Sequence, residues 1–290
     1  MSISRKVIPV FVALAIVSAA CSASQDDTES SQSELDQRIV SIDPSGTEIV
    51  FGLGLGDSVV AVDSLSTFPE GTPVTDLSAF TPNTEAILGF EPDVVVMSSF
   101  YPDVQAGLEA AGVEVLLSVS PTTFDDLYSQ IEAYGVTLES TDAAASLIEE
   151  MQADIDEIVA SVEGSQGRSY YHELDDTLYS ATSSTFIGEV YGLFGLANVA
   201  DAADADGAAF GFPQLNVEYL IDADPDLIFL ADTVCCGQTV ETVAARPGWS
   251  ELQAVQSGAV VELNDDVASR WGPRVVDFVA AVADGVRGIE

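Results

Sequence analysis

His172 is the only histidine in the chain, and one imidazole restricts the chemistry on offer. A bare zinc or manganese ion calls for several His and carboxylate ligands, so a bare transition-metal site is disfavoured. His172 also falls within a strand-like stretch, YYHELD, which predicts a packed or rim side chain and not the base of a triad. The chain contains no GxSxG elbow and no GxxxxGK phosphate loop. The run GLGLG at Gly52–Gly56 imitates a dinucleotide fingerprint, but it closes a helix where that fingerprint must open one. The residues therefore do not prepare an enzyme. Cys235 and Cys236 are adjacent. Two cysteines cannot cage a structural zinc, which leaves a vicinal disulfide in an oxidising compartment or two buried thiols, with the thiols favoured.

The residues that repeat are more informative. Asn83–Val95, NTEAILGFEPDVV, returns as Asn216–Ile228, NVEYLIDADPDLI. Each copy reads Asn-x-Glu, and seven residues separate Glu85 from Pro92 and Glu218 from Pro225. Asn suits a helix N-cap, and an acid in the first turn complements the helix dipole by typically 0.3–1 kcal/mol. That accounts for a glutamate at such a position, but not for its recurrence in the same slot. A first-turn side chain at the edge of an α/β lobe faces solvent, so Glu85 and Glu218 could together grip a partner that carries paired arginines.

The elements around these residues alternate. From Arg38, RIVSID reads as a strand, TEIVFGLGLG as a helix and SVVAVD as a strand. SLSTFPEGTPVTDLSAFTPN reads as a loop and is followed by a short helix from Thr84, then DVVVMS, YPDVQAGLEAAG and VEVLLSV as strand, helix and strand. Such alternation predicts an α/β fold with mostly parallel sheets. Residues 123–164 lack strands. Ala145, Ile148, Met151, Ile155 and Ile158 recur at helical spacing behind Ser140, which predicts a helix of roughly 24 residues against a mean of about 11–12. Beyond it SYYHELD, DLIFLAD and AVVELN read as strands, while TFIGEVYGLFGL, ETVAARPGWSEL around Pro247 and PRVVDFVAAVADGVRG read as helices. The expected organisation is a signal peptide at 1–20, a tether at 21–37, an α/β lobe at 38–138, a bridging helix at 139–164 and a second, similar lobe at 165–290.

Composition narrows the partners. The 290 residues are 47% hydrophobic, enough for real cores, and carry 8 Lys+Arg against 48 Asp+Glu, a formal charge of −40. Such a field repels nucleic acid and anionic headgroups. Arg5 and Lys6 precede VIPVFVALAIVSAA, an apolar run short of the roughly 20 residues a membrane span needs. It ends in Ser18-Ala19-Ala20-Cys21, which fits either ordinary small-residue cleavage or a lipobox that lipidates Cys21. The polar stretch SASQDDTESSQSELDQ that follows favours the lipid-anchored reading, because it suits a tether.

RIVSIDPSGTEIVFGLG, TPNTEAILGFEPDVVV, TFIGEVYGLFGLANV, FPQLNVEYLIDADPDLIFL and SRWGPRVVDFVAAVA together resemble the vitamin B12 and iron-siderophore class of substrate-binding proteins that serve ABC importers. The resemblance runs in order from Arg38 to Asp284. It implies two α/β lobes bridged by one long helix, a ligand in the cleft between them, modest opening and closing, and a monomer. It also implies that Glu85 and Glu218 form salt bridges to arginines of the membrane permease, which works with its ATPase subunits. Cobalamin, a ferric siderophore and haem are the candidate ligands. The resemblance carries aromatic cleft roles to Phe68, Phe80 and Phe212, and polar ones to Asp266 and Arg270 with Trp271 beside them; Leu65 and Ala79 stand where the cobalamin-binding relative has aromatics. Arg270 offers a planar five-donor fork suited to amide, carboxylate or phosphate groups, while Arg274 is expected to brace the loop. A sensing or adhesive surface domain using the same cleft is the alternative.

Overall fold

The structure is a computed structural model that describes residues 37–288; the signal peptide, Cys21 and nearly all of the tether lie outside the described residues. Two parallel sheets organise it. In the first, β1 (Ile39–Ser41), β2 (Val59–Asp63), β3 (Val74–Leu77), β4 (Val94–Ser98) and β5 (Glu114–Ser118) take the order β3-β2-β1-β4-β5. In the second, β6 (Ser169–Glu173), β7 (Ala197–Asn198), β8 (Leu227–Leu230) and β9 (Val260–Glu262) take the order β7-β6-β8-β9. The central strands are almost wholly apolar and buried on both faces, as parallel strands covered by helices must be.

The first sheet's helices are α1 (Pro44–Gly52), α2 (Thr84–Leu88) and α3 (Pro102–Ala110), with α4 (Phe124–Thr137) and α5 (Thr141–Ala160) after β5. The second sheet carries α6 (Phe186–Gly192), α7 (Val217–Ala223), α8 (Thr233–Cys236), α9 (Val240–Ala244), α10 (Gln253–Ser257), α11 (Asp265–Ala268) and α12 (Val275–Arg287). One apolar layer runs through the middle. It joins Val94 and Val96 of β4 to Ile131 and Tyr134 of α4, Ile148 and Met151 of α5, Phe278 and Val282 of α12, and Tyr170 and Phe229 of the second sheet. Each sheet has a further cluster on its outer face.

Three local readings change. The loop after β2 contains β3, an edge strand pairing Val62 with Val74 and Asp63 with Leu77; VTDL is short and half exposed, so it lacks a strand's apolar signature. The helix expected over ETVAARPGWSEL is α9 and then a single 3₁₀ turn at Trp249–Glu251, with α10 starting only beyond it, because proline lacks the amide a helix needs and Gly248 turns left-handed at φ 85°. Trp249 follows, fully buried, with the Arg246 guanidinium 4.6 Å from its ring. The long helix spans 20 residues, stopping at Ala160.

The cysteines depart from expectation as well. Cys235 and Cys236 form a vicinal disulfide on an exposed turn, so they are not buried thiols. Three backbone N–H groups, those of Thr233, Val234 and Cys235, donate to the Asp265 carboxylate at 2.6–3.0 Å and hold the turn against α11.

Candidate functional site

In a parallel sheet every strand ends on the same edge, and ligands gather outside those carboxyl ends. A cavity of about 330 Å³ lies where the carboxyl-end loops of the two sheets meet. From the first sheet, Ser120, Pro121 and Thr122 follow β5; from the second come Leu174 after β6, Ser184–Ile187 at the start of α6, Phe210 and Phe212 before α7, and Ala268–Trp271 leading out of α11. Phe278 of α12 closes the wall. The lining is mostly apolar and aromatic, with a few polar groups, which is how sites for organic ligands are built. Phe212 is about half exposed and Phe210 is 88% exposed, so both rings stand at the mouth with area left to bury.

Of the residues the sequence singled out, Phe212, Arg270 and Trp271 come together in this cavity. Asp266 stands just behind its wall, 2.5 Å from Arg270. Phe68 instead stacks on the Arg274 guanidinium at 4.1 Å. Phe80 is exposed, its carbonyl accepting from the Tyr101 hydroxyl at 2.8 Å. Sequence reasoning missed Phe186, Phe210 and Phe278. The first and last are spaced as ordinary helix-core positions, and Phe210 stands in a small-residue loop, AAFGF, with no periodicity to mark it.

Residues 270–274 cross to the first sheet's side. The backbone N–H of Trp271 donates to the Ser45 hydroxyl at 3.2 Å and its indole N–H to the Ser118 hydroxyl at 3.3 Å. Arg270 donates to the Leu65 carbonyl at 3.2 Å. Arg274 grips Glu48 of α1 through two donors, at 3.0 and 2.5 Å, and so braces the loop as expected. The fit is close at Gly272, where an added Cβ would stand 3.0 Å from the Glu48 carboxylate. Asp43 lies nearby, its side chain capping α1 through the Gly46 N–H at 2.7 Å; burial pushes its carboxyl up despite that bond.

Beneath the cavity the second sheet buries its own polar groups. His172 is fully buried and hydrogen-bonded to the Tyr191 hydroxyl at 2.8 Å. Burial pushes its pKa down to about 3, so the ring is neutral and packed. Glu173 takes a two-pronged bond from Arg246 at 2.6 Å. Asp232, also buried, has no hydrogen-bond partner on either oxygen among the described residues. Burial, then the charge of Glu173, raises its pKa to about 7.

The repeated glutamates occupy equivalent places. Asn83 caps α2 through the Ala86 N–H and Asn216 caps α7 through the Tyr219 N–H, both at 2.9 Å. Glu85 and Glu218 stand in the first turns and are exposed.

The sequence pattern of periplasmic binding proteins matches residues 39–267. The chain belongs to the periplasmic binding protein family. The chain is 30% identical over 260 residues to YvrC of Bacillus subtilis, described as an ABC transporter substrate-binding lipoprotein, covering 86% of this chain and 80% of that one. It is 28% identical to a cobalamin-binding protein of Halobacterium salinarum, over 86% and 69% of the two chains. The crystal structure of the vitamin B12-binding protein BtuF of Vibrio cholerae superposes with a TM-score of 0.66 at 26% identity, covering 87% of this chain and 96% of that one. This periplasmic binding protein is accordingly an extracytoplasmic solute-binding component of an ABC importer, and the sensing or adhesive alternative is set aside.

Proposed function

We propose that the cleft captures a corrinoid of the cobalamin kind and hands it to an ABC permease. The cavity itself carries the reading. Its walls are Phe186, Phe210, Phe212, Trp271 and Phe278, and among the described residues its lining includes no His, Tyr, Cys or Met. A haem captured here would find none of the side chains that usually seat its iron, whereas a corrinoid brings its metal fully caged and offers broad apolar faces. Burying those faces is worth on the order of 25 cal/mol per Å². The cobalamin-binding descriptions of the Halobacterium and Vibrio proteins support the same class. At about 330 Å³ the cavity is at the small end for ligand sites, so a corrinoid is held between parted lobes or with part of its edge in solvent. The lobes in this reading are residues 38–138 and 165–290, bridged by 139–164.

Export and anchoring complete the proposal. Cys21 carries the lipid, the tether keeps the lobes off the membrane, and Glu85 and Glu218 meet arginines of the two permease halves. The YvrC description supports the anchor. The test is calorimetric titration of the exported chain with cyanocobalamin, a ferric siderophore and haem. Cyanocobalamin is expected to bind, and Phe210→Ala and Phe212→Ala should each weaken it on the order of tenfold with the melting temperature unchanged. Heat evolved with haem or the siderophore but none with cyanocobalamin rejects the corrinoid class.

A further inference from the structure

Two arginines converge on one buried carboxylate beside the cavity. Glu48 lies in α1 and is only 4% exposed. Arg274 reaches it through two donors, and Arg270 Nη1 stands 3.8 Å from the same Oε1. On its other side Arg270 donates Nη2 to Asp266 at 2.5 Å. The four side chains form a closed set of two formal positive and two formal negative charges. Arg270 is the only one of the four in the cavity wall, and its Nη1 is buried on the Glu48 side with no hydrogen-bond partner among the described residues. Its charge is thus already answered by the two carboxylates before any guest arrives.

We infer that Glu48, with Asp266, sets the charge preference of the cleft. The site takes a solute presenting neutral acceptors such as amide carbonyls and turns away one presenting carboxylates or a negatively charged metal chelate. An arginine backed by no carboxylate attracts an anion strongly in a desolvated cleft. Here two carboxylates cancel both arginines, so an incoming anion finds no net attraction, and it also meets the field of a chain at −40. Asp43, capping α1 beside Ser45, adds a further carboxyl close by. A neutral acceptor loses little from this arrangement, because it carries no net charge for the carboxylates to repel. Glu48 is thus a specificity-determining residue that acts through Arg270 without reaching the guest. The choice of probes rests on the corrinoid reading; the charge argument does not.

The test titrates the exported chain calorimetrically with two matched pairs. One is cyanocobalamin against the derivative in which a single peripheral amide is hydrolysed to a carboxylate; the other is an uncharged ferric trihydroxamate against a trianionic ferric triscatecholate. The wild type should prefer the neutral member of the pair it binds by about tenfold or more. Glu48→Gln and Asp266→Asn should each cut that preference to about threefold or less by strengthening the anion. Since Glu48→Gln leaves Arg274 without its partner and can fail to fold, the charge-balanced pair Glu48→Gln with Arg274→Gln is made as well. That double variant should restore the neutral preference, which a purely structural role for Glu48 would not do. Equal affinity of the wild type for both members of a pair, or a preference that both single charge removals leave untouched, overturns the inference while cyanocobalamin binding keeps the corrinoid reading intact. Binding only of the uncharged trihydroxamate removes the corrinoid reading and upholds the inference; binding of none of the four overturns both.

Discussion

Asp232 is the clearest case of a single residue whose neighbours decide its state. Its two oxygens are buried with no hydrogen-bond partner among the described residues, and Arg246 is already committed to Glu173. With its pKa raised from the ordinary 3.8 to about 7, the folded protein holds a proton there that the unfolded chain releases. The stability this group contributes is therefore full below about pH 4 and is lost as pH rises through about 7. Asp232→Asn, which mimics the protonated acid, should raise stability by about 1–2 kcal/mol at pH 8, a value discounted for screening, and change little at pH 4; denaturant melts at both pH values measure it. A gain equal at both pH values would mean that the carboxyl does not titrate in this range. At the same scale, Arg270 and Trp271 were legible in the sequence through the resemblance of the SRWGPR segment to the family's cleft positions. Glu48 was not. It sits in an apolar helical run, and only its meeting with residues some 220 positions later gives it a role.

Between elements, the contact of α4 with α5 ties the long helix to the first sheet. Gly135 of α4 packs so closely that an added Cβ would stand 2.5 Å from the Ala144 Cβ of α5. Gly135→Ala gains helix propensity worth about 1 kcal/mol but must push the two helices apart, at about 1–3 kcal/mol. The net expectation is a loss of up to about 2 kcal/mol in urea unfolding, and a raised midpoint would show that the pair separates freely. Strands with continuous apolar runs and helices with a 3.6-residue period were readable from the chain, as β4, β8 and α12 show. β3 and the break at Pro247 were not: an edge strand half in water has no such pattern, and helix propensity on both sides of a proline hides the stop.

For the molecule as a whole, the shared central layer matters most. Apolar side chains of both sheets, α4, α5 and α12 belong to one continuous core, so parting the carboxyl ends must bend a packed body more than swing two independent ones. The proposed docking of Glu85 and Glu218 to the permease needs a steady separation between them, and a shared packed layer favours that. Glu85→Ala with Glu218→Ala should lower uptake in cells on the order of tenfold, by analogy with charge pairs at other interfaces, while affinity for the solute measured on the purified chain stays unchanged. If affinity falls in parallel with uptake, the pair serves the fold or the cleft and not the permease.

The sequence by itself determined the alternation of strands and helices, the duplication that places Asn83 and Asn216 at matching helix starts, and the excess of acid. All of these follow from local periodicity, capping chemistry and composition, which act over a few residues or over the whole chain at once. Which aromatics share a wall, which carboxylate answers Arg270 and that Cys235 and Cys236 are exposed were decided only by tertiary structure. Those facts depend on packing between segments far apart in the chain, where burial and charge balance are set by neighbours that no local pattern names.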